Sequence, residues 1–215
     1  MSAIDNFNKT VKRAEAMVQL HKTLCPRGKP KTEHADILRA AVVVSVSAMD
    51  GYFHERIAES IARFVRAKKG RALPGKLTQT IKESASYDRL IEILFEERPL
   101  SHLATIVRKA TAERTYQDAG KIEQAVGMLG VDDLWFNIGK KLGLSKENAK
   151  THVQPYVKRR NQIVHRGDYG QTKRSKNKLN LISRSYAVRC VKEVGRFVRA
   201  IDGVIDAHLA RLEKK

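Results

Sequence analysis

The chain has 215 residues, of which 42% are hydrophobic, so it can fold as one domain with a hydrophobic core. Its 42 Lys and Arg residues outnumber 23 Asp and Glu, and the net charge of +19 favours a polyanionic partner, either nucleic acid or acidic lipid headgroups. Two distant cysteines argue against a disulfide framework or a zinc site, and the longest apolar run, residues 40–49, is too short to span a membrane. Charged residues interrupt the apolar ones in the first thirteen positions, so we expect no signal peptide and predict the cytoplasm.

Apolar residues recur every three or four positions over residues 3–24, which predicts an amphipathic helix. Pro26 and Pro30 end it, so residues 1–30 are predicted to be an N-terminal helix and linker. A long helix follows from about Thr32, a suitable N-cap, to about Lys69. It is apolar on two opposite faces, which predicts a central position in a bundle, and the faces carry the carboxylates of Glu55 and Asp50.

Shorter helices are predicted over 76–85, 88–96, 99–113 and 122–129, the third of them beginning at Pro99. Asp132 or Asp133 is expected to cap another, and Ser145 begins one that Pro155 kinks or restarts before it reaches about residue 165. A basic loop then leads to a last long helix, about 182–213. No strand is apparent, so residues 31–215 are predicted to form an all-α bundle with two long helices and several short ones.

The segment with the most potentially catalytic or ligand-binding side chains is residues 158–168, which read Lys-Arg-Arg-Asn-Gln-Ile-Val-His-Arg-Gly-Asp. A helical wheel places Arg160 at the centre of the buried side, where a guanidinium needs a carboxylate, a phosphate or a two-fold partner. Glu55 lies among core-facing residues of the central helix and is the simplest partner, with Asp50 as the rival. Asn161 and His165 are four residues apart and therefore share one face of the helix.

The run from Arg160 to His165 resembles the Arg-x(4–6)-His signature of the HEPN superfamily, in which a polar residue, often Asn, follows the arginine. The continuation Arg-Gly-Asp looks like the RiboL-PSP and abortive-infection branches of that superfamily. The central helix is similar to the second helix of the family, with Asp50 where an acidic residue is usual. The resemblance is specific over residues 35–68 and 150–170, and it implies a HEPN-like helical bundle with a short N-terminal helical extension.

This resemblance implies a metal-independent endoribonuclease whose catalytic residues are Arg160, Asn161 and His165. Asp50, which the resemblance favours, or Glu55, which the helical wheel favours, would support Arg160. A neutral imidazole can take the proton of a ribose 2′-OH or give one to the leaving 5′-oxygen. A guanidinium can stabilise the charge on the phosphate. Asn161 would bind the phosphate or orient the imidazole. In the family the motifs of two chains meet across a two-fold axis, so a homodimer with a composite active site is expected.

Thirteen Lys or Arg residues against two acidic ones give residues 158–199 a net charge of +11. This one-sided clustering beside the motif predicts contacts with RNA phosphates. The predicted RNA-binding residues are Lys158, Arg159, Arg166, Lys173, Arg174, Lys176 and Lys178.

We expect neither a cofactor nor a metal, because the sequence has no acidic cluster or histidine pair with ligand spacing. The cellular role implied is phage defence or a toxin-like system, in which an antitoxin or regulatory protein could cover the site, and no membrane is involved. The alternative is an RNA-binding or assembly module that keeps the HEPN fold without cutting. The aromatic residues Tyr52, Phe53, Trp135 and Phe136 are expected in the core, and His21 on the surface or at an interface.

Overall fold

The computed structural model describes residues 1–26, 32–67, 73–170 and 178–214, and most of these residues are helical. The helices, in chain order, are α1 (Ala3–Leu24), α2 (Thr32–Ala67), α3 (Gly75–Ser84), α4 (Tyr87–Leu94), α5 (Pro99–Thr111), α6 (Ala119–Gly127), α7 (Leu134–Leu142), α8 (Lys146–Thr151), α9 (Gln154–Arg166) and α10 (Arg184–Lys214). No strand occurs in this described part, where an isolated antiparallel bridge joins Tyr169 to Leu179. The prediction of an all-α fold is confirmed.

Helix α2 is the centre of the bundle, as its two apolar faces predicted, because α1, α5, α9 and α10 all pack against it. Buried residues therefore occur all around its axis; they include Leu38, Ala41, Val42, Val46, Met49, Phe53, Ile57, Ile61 and Phe64. The predicted end near Lys69 lies outside the described residues.

Helix α1 lies along both α2 and α10 and shares their hydrophobic core. Its apolar stripe faces the core, where Phe7, Val11, Ala14 and Val18 are all buried. Ser2 begins the helix with a reciprocal cap, since its Oγ accepts from the Asp5 amide while the Asp5 carboxylate accepts from the Ser2 amide. Helix α1 therefore contributes to the core of the bundle, and the predicted division at residue 30 stays a prediction.

A buried polar network fastens α2 to α10. The Tyr52 hydroxyl donates to Asp202 Oδ1 at 2.7 Å, and the buried Arg56 guanidinium pairs with Asp202 at 3.3 Å and with Asp206. Burial raises the pKa of Asp202 above its usual value. Because two carboxylates meet one buried arginine, the network fixes the register of the two long helices.

The short helices follow the predicted order, with two local corrections. Pro99 is the first residue of α5, as predicted, and at Pro155 the chain restarts, since α8 ends at Thr151 and α9 begins at Gln154. Asp133 is the N-cap residue of α7, one of the two predicted alternatives, but with φ 49 it makes no capping hydrogen bond, so the predicted side-chain cap is wrong. Among the aromatic residues expected in the core, Phe136 is also wrong, because it is 61% exposed.

Candidate active site

Helix α9, the motif helix, is anchored at its beginning and exposed at its end. Val153, just before the helix, and Tyr156 and Val157 are buried. Gly167 ends the helix with φ 57, a conformation that glycine adopts without strain, and its amide donates to the Gln162 carbonyl. The last turn, which carries His165, therefore projects from the core on a fixed base.

Asn161 and His165 line one groove, as their four-residue spacing predicted. The groove has a volume of about 660 Å³ and separates α9 from the segment 115–121. Lys158 and Arg166 add positive charge on the α9 side, while on the other side Lys121 is paired with Asp118 at 3.8 Å. His165 is exposed, so a ligand in the groove can reach the imidazole.

The opposite wall of the groove is held in place by Asp50. Its Oδ1 accepts from the Tyr116 amide at 2.5 Å, and its Oδ2 accepts from Gln117 Nε2 at 3.3 Å. The Tyr116 ring is buried, with Phe53 and His54 as neighbours at centroid distances of 5.9 and 4.8 Å. Asp50 thus orients the segment that faces His165, and it does so through Tyr116 and Gln117.

Arg160 lies beside the groove and contacts it through Asn161. Its Nη1 donates to Asn161 Oδ1 at 3.1 Å, while its Nε is buried without a hydrogen-bond partner among the described residues. Arg160 does not line the groove of its own chain, as far as the described residues show. The Asn161 oxygen is occupied by this bond, so its Nδ2 amide is the group left to meet a ligand.

The model of the RiboL-PSP-HEPN family matches residues 8–207, which include every helix that builds the groove. The chain belongs to the RiboL-PSP-HEPN family. Neither the search of curated proteins nor the search of solved structures found a match. HEPN domains are often ribonucleases, and membership points to a ribonuclease or an RNA-related function. The matched range also includes most of α1, in agreement with its place in the core.

The predicted ion pair between Arg160 and a carboxylate of α2 is wrong. Glu55 is paired with Arg108 of α5 at 3.0 Å, and both side chains are about two-fifths exposed. The Asp50 carboxylate accepts from the Tyr116 amide in the groove wall instead. The helical wheel failed because it assumed a wholly buried side of α9, whereas Val164 is 46% exposed. Glu55 therefore has no visible role at this HEPN site, while Asp50 acts on the groove from a distance.

Asp168, three residues after His165, is the important residue that the sequence reading did not single out. It is fully buried with φ 62, and its Oδ2 accepts from Arg39 Nε at 2.7 Å and from Arg159 Nη2 at 2.8 Å. Asn180 donates from its backbone and side-chain amides to the Asp168 carbonyl. Asp168 thereby ties the end of α9 to α2 and to the chain before α10. An aspartate directly after a helix-ending glycine was the only signal.

The predicted RNA-binding residues divide into three groups. Lys158 and Arg166 are exposed at the groove, and Lys178 is exposed beside the bridge at Leu179. Arg159 is mostly buried, and its guanidinium donates to Asp168 and to the carbonyls of Asn180 and Leu181. Its main role is therefore to stabilise the fold. The remaining three, Lys173, Arg174 and Lys176, lie outside the described residues.

Among the residues that the structure describes, no group of three or more His, Cys, Asp or Glu side chains could hold a metal ion. In the same residues, no helix is both long enough and apolar enough to cross a membrane.

Proposed function

We propose that this HEPN protein is a metal-independent endoribonuclease that works as a homodimer in the cytoplasm. The observation that carries the proposal is the shared groove of Asn161 and His165, whose α9 wall also presents the exposed cations Lys158 and Arg166. This set combines a group that can move protons at neutral pH with cations that can hold a polyanion.

The reaction would be an attack of the ribose 2′-oxygen on the adjacent phosphorus. The bond from phosphorus to the 5′-oxygen breaks, which leaves a 2′,3′-cyclic phosphate on one product and a 5′-OH on the other. His165 would carry out one of the two proton transfers, from the 2′-OH or to the leaving 5′-oxygen, and water would carry out the other, so that no net proton is gained or lost. Asn161 Nδ2 would donate to a phosphate oxygen, since Asn161 Oδ1 already accepts from Arg160.

A composite site accounts for the position of Arg160 outside its own groove. Two copies that meet at the exposed ends of α9 would bring the Arg160 of one chain towards the groove of the other. A guanidinium placed there would stabilise the charge that develops on the phosphate. The same observation also favours a second candidate function, an RNA-binding module that does not cut, because a single chain does not place Arg160 in its groove.

The test uses one labelled RNA and a DNA of the same sequence, each incubated with the protein in excess EDTA. We expect cleavage of the RNA alone, because only RNA carries the 2′-OH, and we expect 5′-OH and cyclic phosphate ends. Cleavage of the DNA as well as the RNA, or cleavage that needs a divalent metal, would contradict the mechanism. Binding of the RNA without any cleavage would support the second candidate.

For the cellular role we propose phage defence or a toxin-like system, in which an antitoxin or regulatory protein covers the groove. Induced expression of the protein alone should then arrest growth, and expression of His165→Ala at the same level should not. Equal growth arrest by both proteins would contradict a role based on RNA cleavage.

A further inference from the structure

A second cavity lies beside the groove of His165, on the neighbouring face of α9. Its volume is about 870 Å³, within the size range of small-molecule sites, and we call it the Arg159 pocket. It is bounded by the end of α1, the beginning of α2, α9 and the chain from Leu179 to Tyr186. Lys158 and Gln162 line both the groove and the pocket, so they form a ridge between the two.

The pocket combines positive charge with apolar surface. Its cations are Arg39, Lys158, Arg159 and Arg184, and none of the described residues that line it is acidic. Asp168 lies buried behind Arg39 and Arg159 and offsets part of their charge. An anion is the ligand that such a lining favours.

The apolar part of the lining includes a side chain that the fold leaves in solvent. Leu181 is 87% exposed, although its backbone carbonyl is held by Arg159. Tyr186 lies nearby with its hydroxyl donating to the Pro155 carbonyl, and burial raises its pKa to about 12, so the phenol stays neutral. An aromatic ring and an aliphatic side chain beside cations suit a planar base attached to a phosphate.

Two nitrogens of lining residues are buried without a hydrogen-bond partner in the described part of the chain, His21 Nε2 and Arg159 Nε. His21 Nδ1 accepts from Arg184 Nε at 3.2 Å, so the neutral imidazole carries its proton on Nε2. Both nitrogens are therefore donors that lack an acceptor, which is costly inside a protein. The fold therefore leaves two hydrogen-bond donors of this lining unused.

We propose that the Arg159 pocket binds a nucleotide of the same RNA strand that occupies the groove of His165. Arg159 and His165 are separated by about 9 Å along the helix axis, at a rise of roughly 1.5 Å per residue. That span is short enough for neighbouring nucleotides of one strand to reach both sites. The strand would cross the ridge at Lys158 and place a flanking base against Leu181 and Tyr186.

This inference rests on the proposed function, because the RNA strand is the substrate proposed there. Its test measures binding of RNA without cleavage. The probe is a fluorescent ten-nucleotide 2′-O-methyl RNA, which has no free 2′-OH and so cannot be cut by this chemistry. Leu181→Glu introduces a carboxylate into the pocket without disturbing the backbone contact to Arg159. Leu94→Glu is the matched control, because Leu94 is an exposed leucine of α4 and the charge change is the same.

We expect Leu181→Glu to raise the Kd of the probe about tenfold, which corresponds to the loss of one stacked base, while Leu94→Glu changes it less than about twofold. Equal effects of the two variants would overturn the proposal. A separate titration with AMP distinguishes a free nucleotide from a strand. If Leu181→Glu abolishes AMP binding but leaves the Kd of the probe unchanged, the pocket serves a free nucleotide and the proposal is wrong. If the probe binds as expected but wild-type protein cuts no RNA, the ribonuclease proposal fails and the pocket remains.

Discussion

The carboxylate of Asp168, just beyond the end of the motif helix, accepts a hydrogen bond from Nη2 of Arg159 in the middle of that helix at 2.8 Å. The same oxygen accepts from Arg39 Nε, so one buried acid joins α9 to α2. His165 lies between the two members of this pair in the sequence, and its position therefore depends on a contact in which it takes no part.

Removing the Asp168 carboxylate should destabilise the fold strongly, because it leaves two arginines without their buried partner. We expect Asp168→Ala to lower the free energy of unfolding by about 3–5 kcal/mol in urea denaturation. Asp36→Ala is the matched control, since Asp36 pairs with the same Arg39 but is 61% exposed, and it should cost less than about 1 kcal/mol. Similar losses of unfolding free energy in the two variants would contradict this prediction, because the buried ion pair would then stabilise the fold no more than the exposed one.

The wall of the groove should depend on Asp50 and not on Glu55. Asp50→Ala removes the acceptor of the Tyr116 amide and of Gln117, so the segment facing His165 loses its tether. We expect the cleavage rate of the folded variant to fall about tenfold or more, as misplaced groups typically cause. Glu55→Ala, which breaks only the exposed pair with Arg108, should stay within about twofold. Wild-type activity of Asp50→Ala would contradict this prediction, because it would show that the position of the groove wall does not affect the cleavage rate.

Much of the helical arrangement follows from patterns that a sequence makes visible. The three-four spacing of α1 and α10 and the two apolar faces of α2 report burial directly, because every turn of a packed helix repeats the signal. The grouping of Asn161 with His165 is equally local, since it needs only the pitch of one helix.

The remaining features could not be read from the sequence because they join distant, irregular segments. Asp50 meets the amide of Tyr116 in a stretch without periodicity, and Asp168 meets Arg39 from a turn with positive φ. Backbone donors and turn conformations leave little trace in residue types. The wheel placed Arg160 correctly towards the less exposed side of α9 but could not show that Glu55 turns to Arg108 instead.

The composite site predicts that two inactive variants can restore each other. Arg160→Ala and His165→Ala homodimers should each be nearly inactive, whereas a mixture contains dimers with one intact arginine and one intact histidine in the shared cleft. We expect the mixture to cut RNA measurably faster than either variant alone. Sedimentation of the wild-type protein as a strict monomer at full activity would contradict the dimer.

His21 should make the fold sensitive to mild acid, although we expected this residue on the surface or at an interface. It is buried, and burial followed by the nearby charges of Arg184 and His34 lowers its pKa below the usual 6.5. The unfolded chain then binds this proton more tightly, so the stability present above pH 6.5 is lost as the pH falls towards the lower folded pKa. The free energy of unfolding should therefore drop between pH 7 and 5, and less steeply in His21→Asn, which keeps an acceptor for Arg184. Equal slopes would contradict this role.

The most direct test of the account is the rate of RNA cleavage by folded His165→Ala protein in excess EDTA. His102→Ala is the matched control, because His102 is a part-exposed histidine of α5 that does not line the groove. We predict that His165→Ala lowers the rate by about a hundredfold or more, as the loss of a general acid or base does, while His102→Ala keeps the wild-type rate. Cleavage by His165→Ala at the wild-type rate would contradict the central claim.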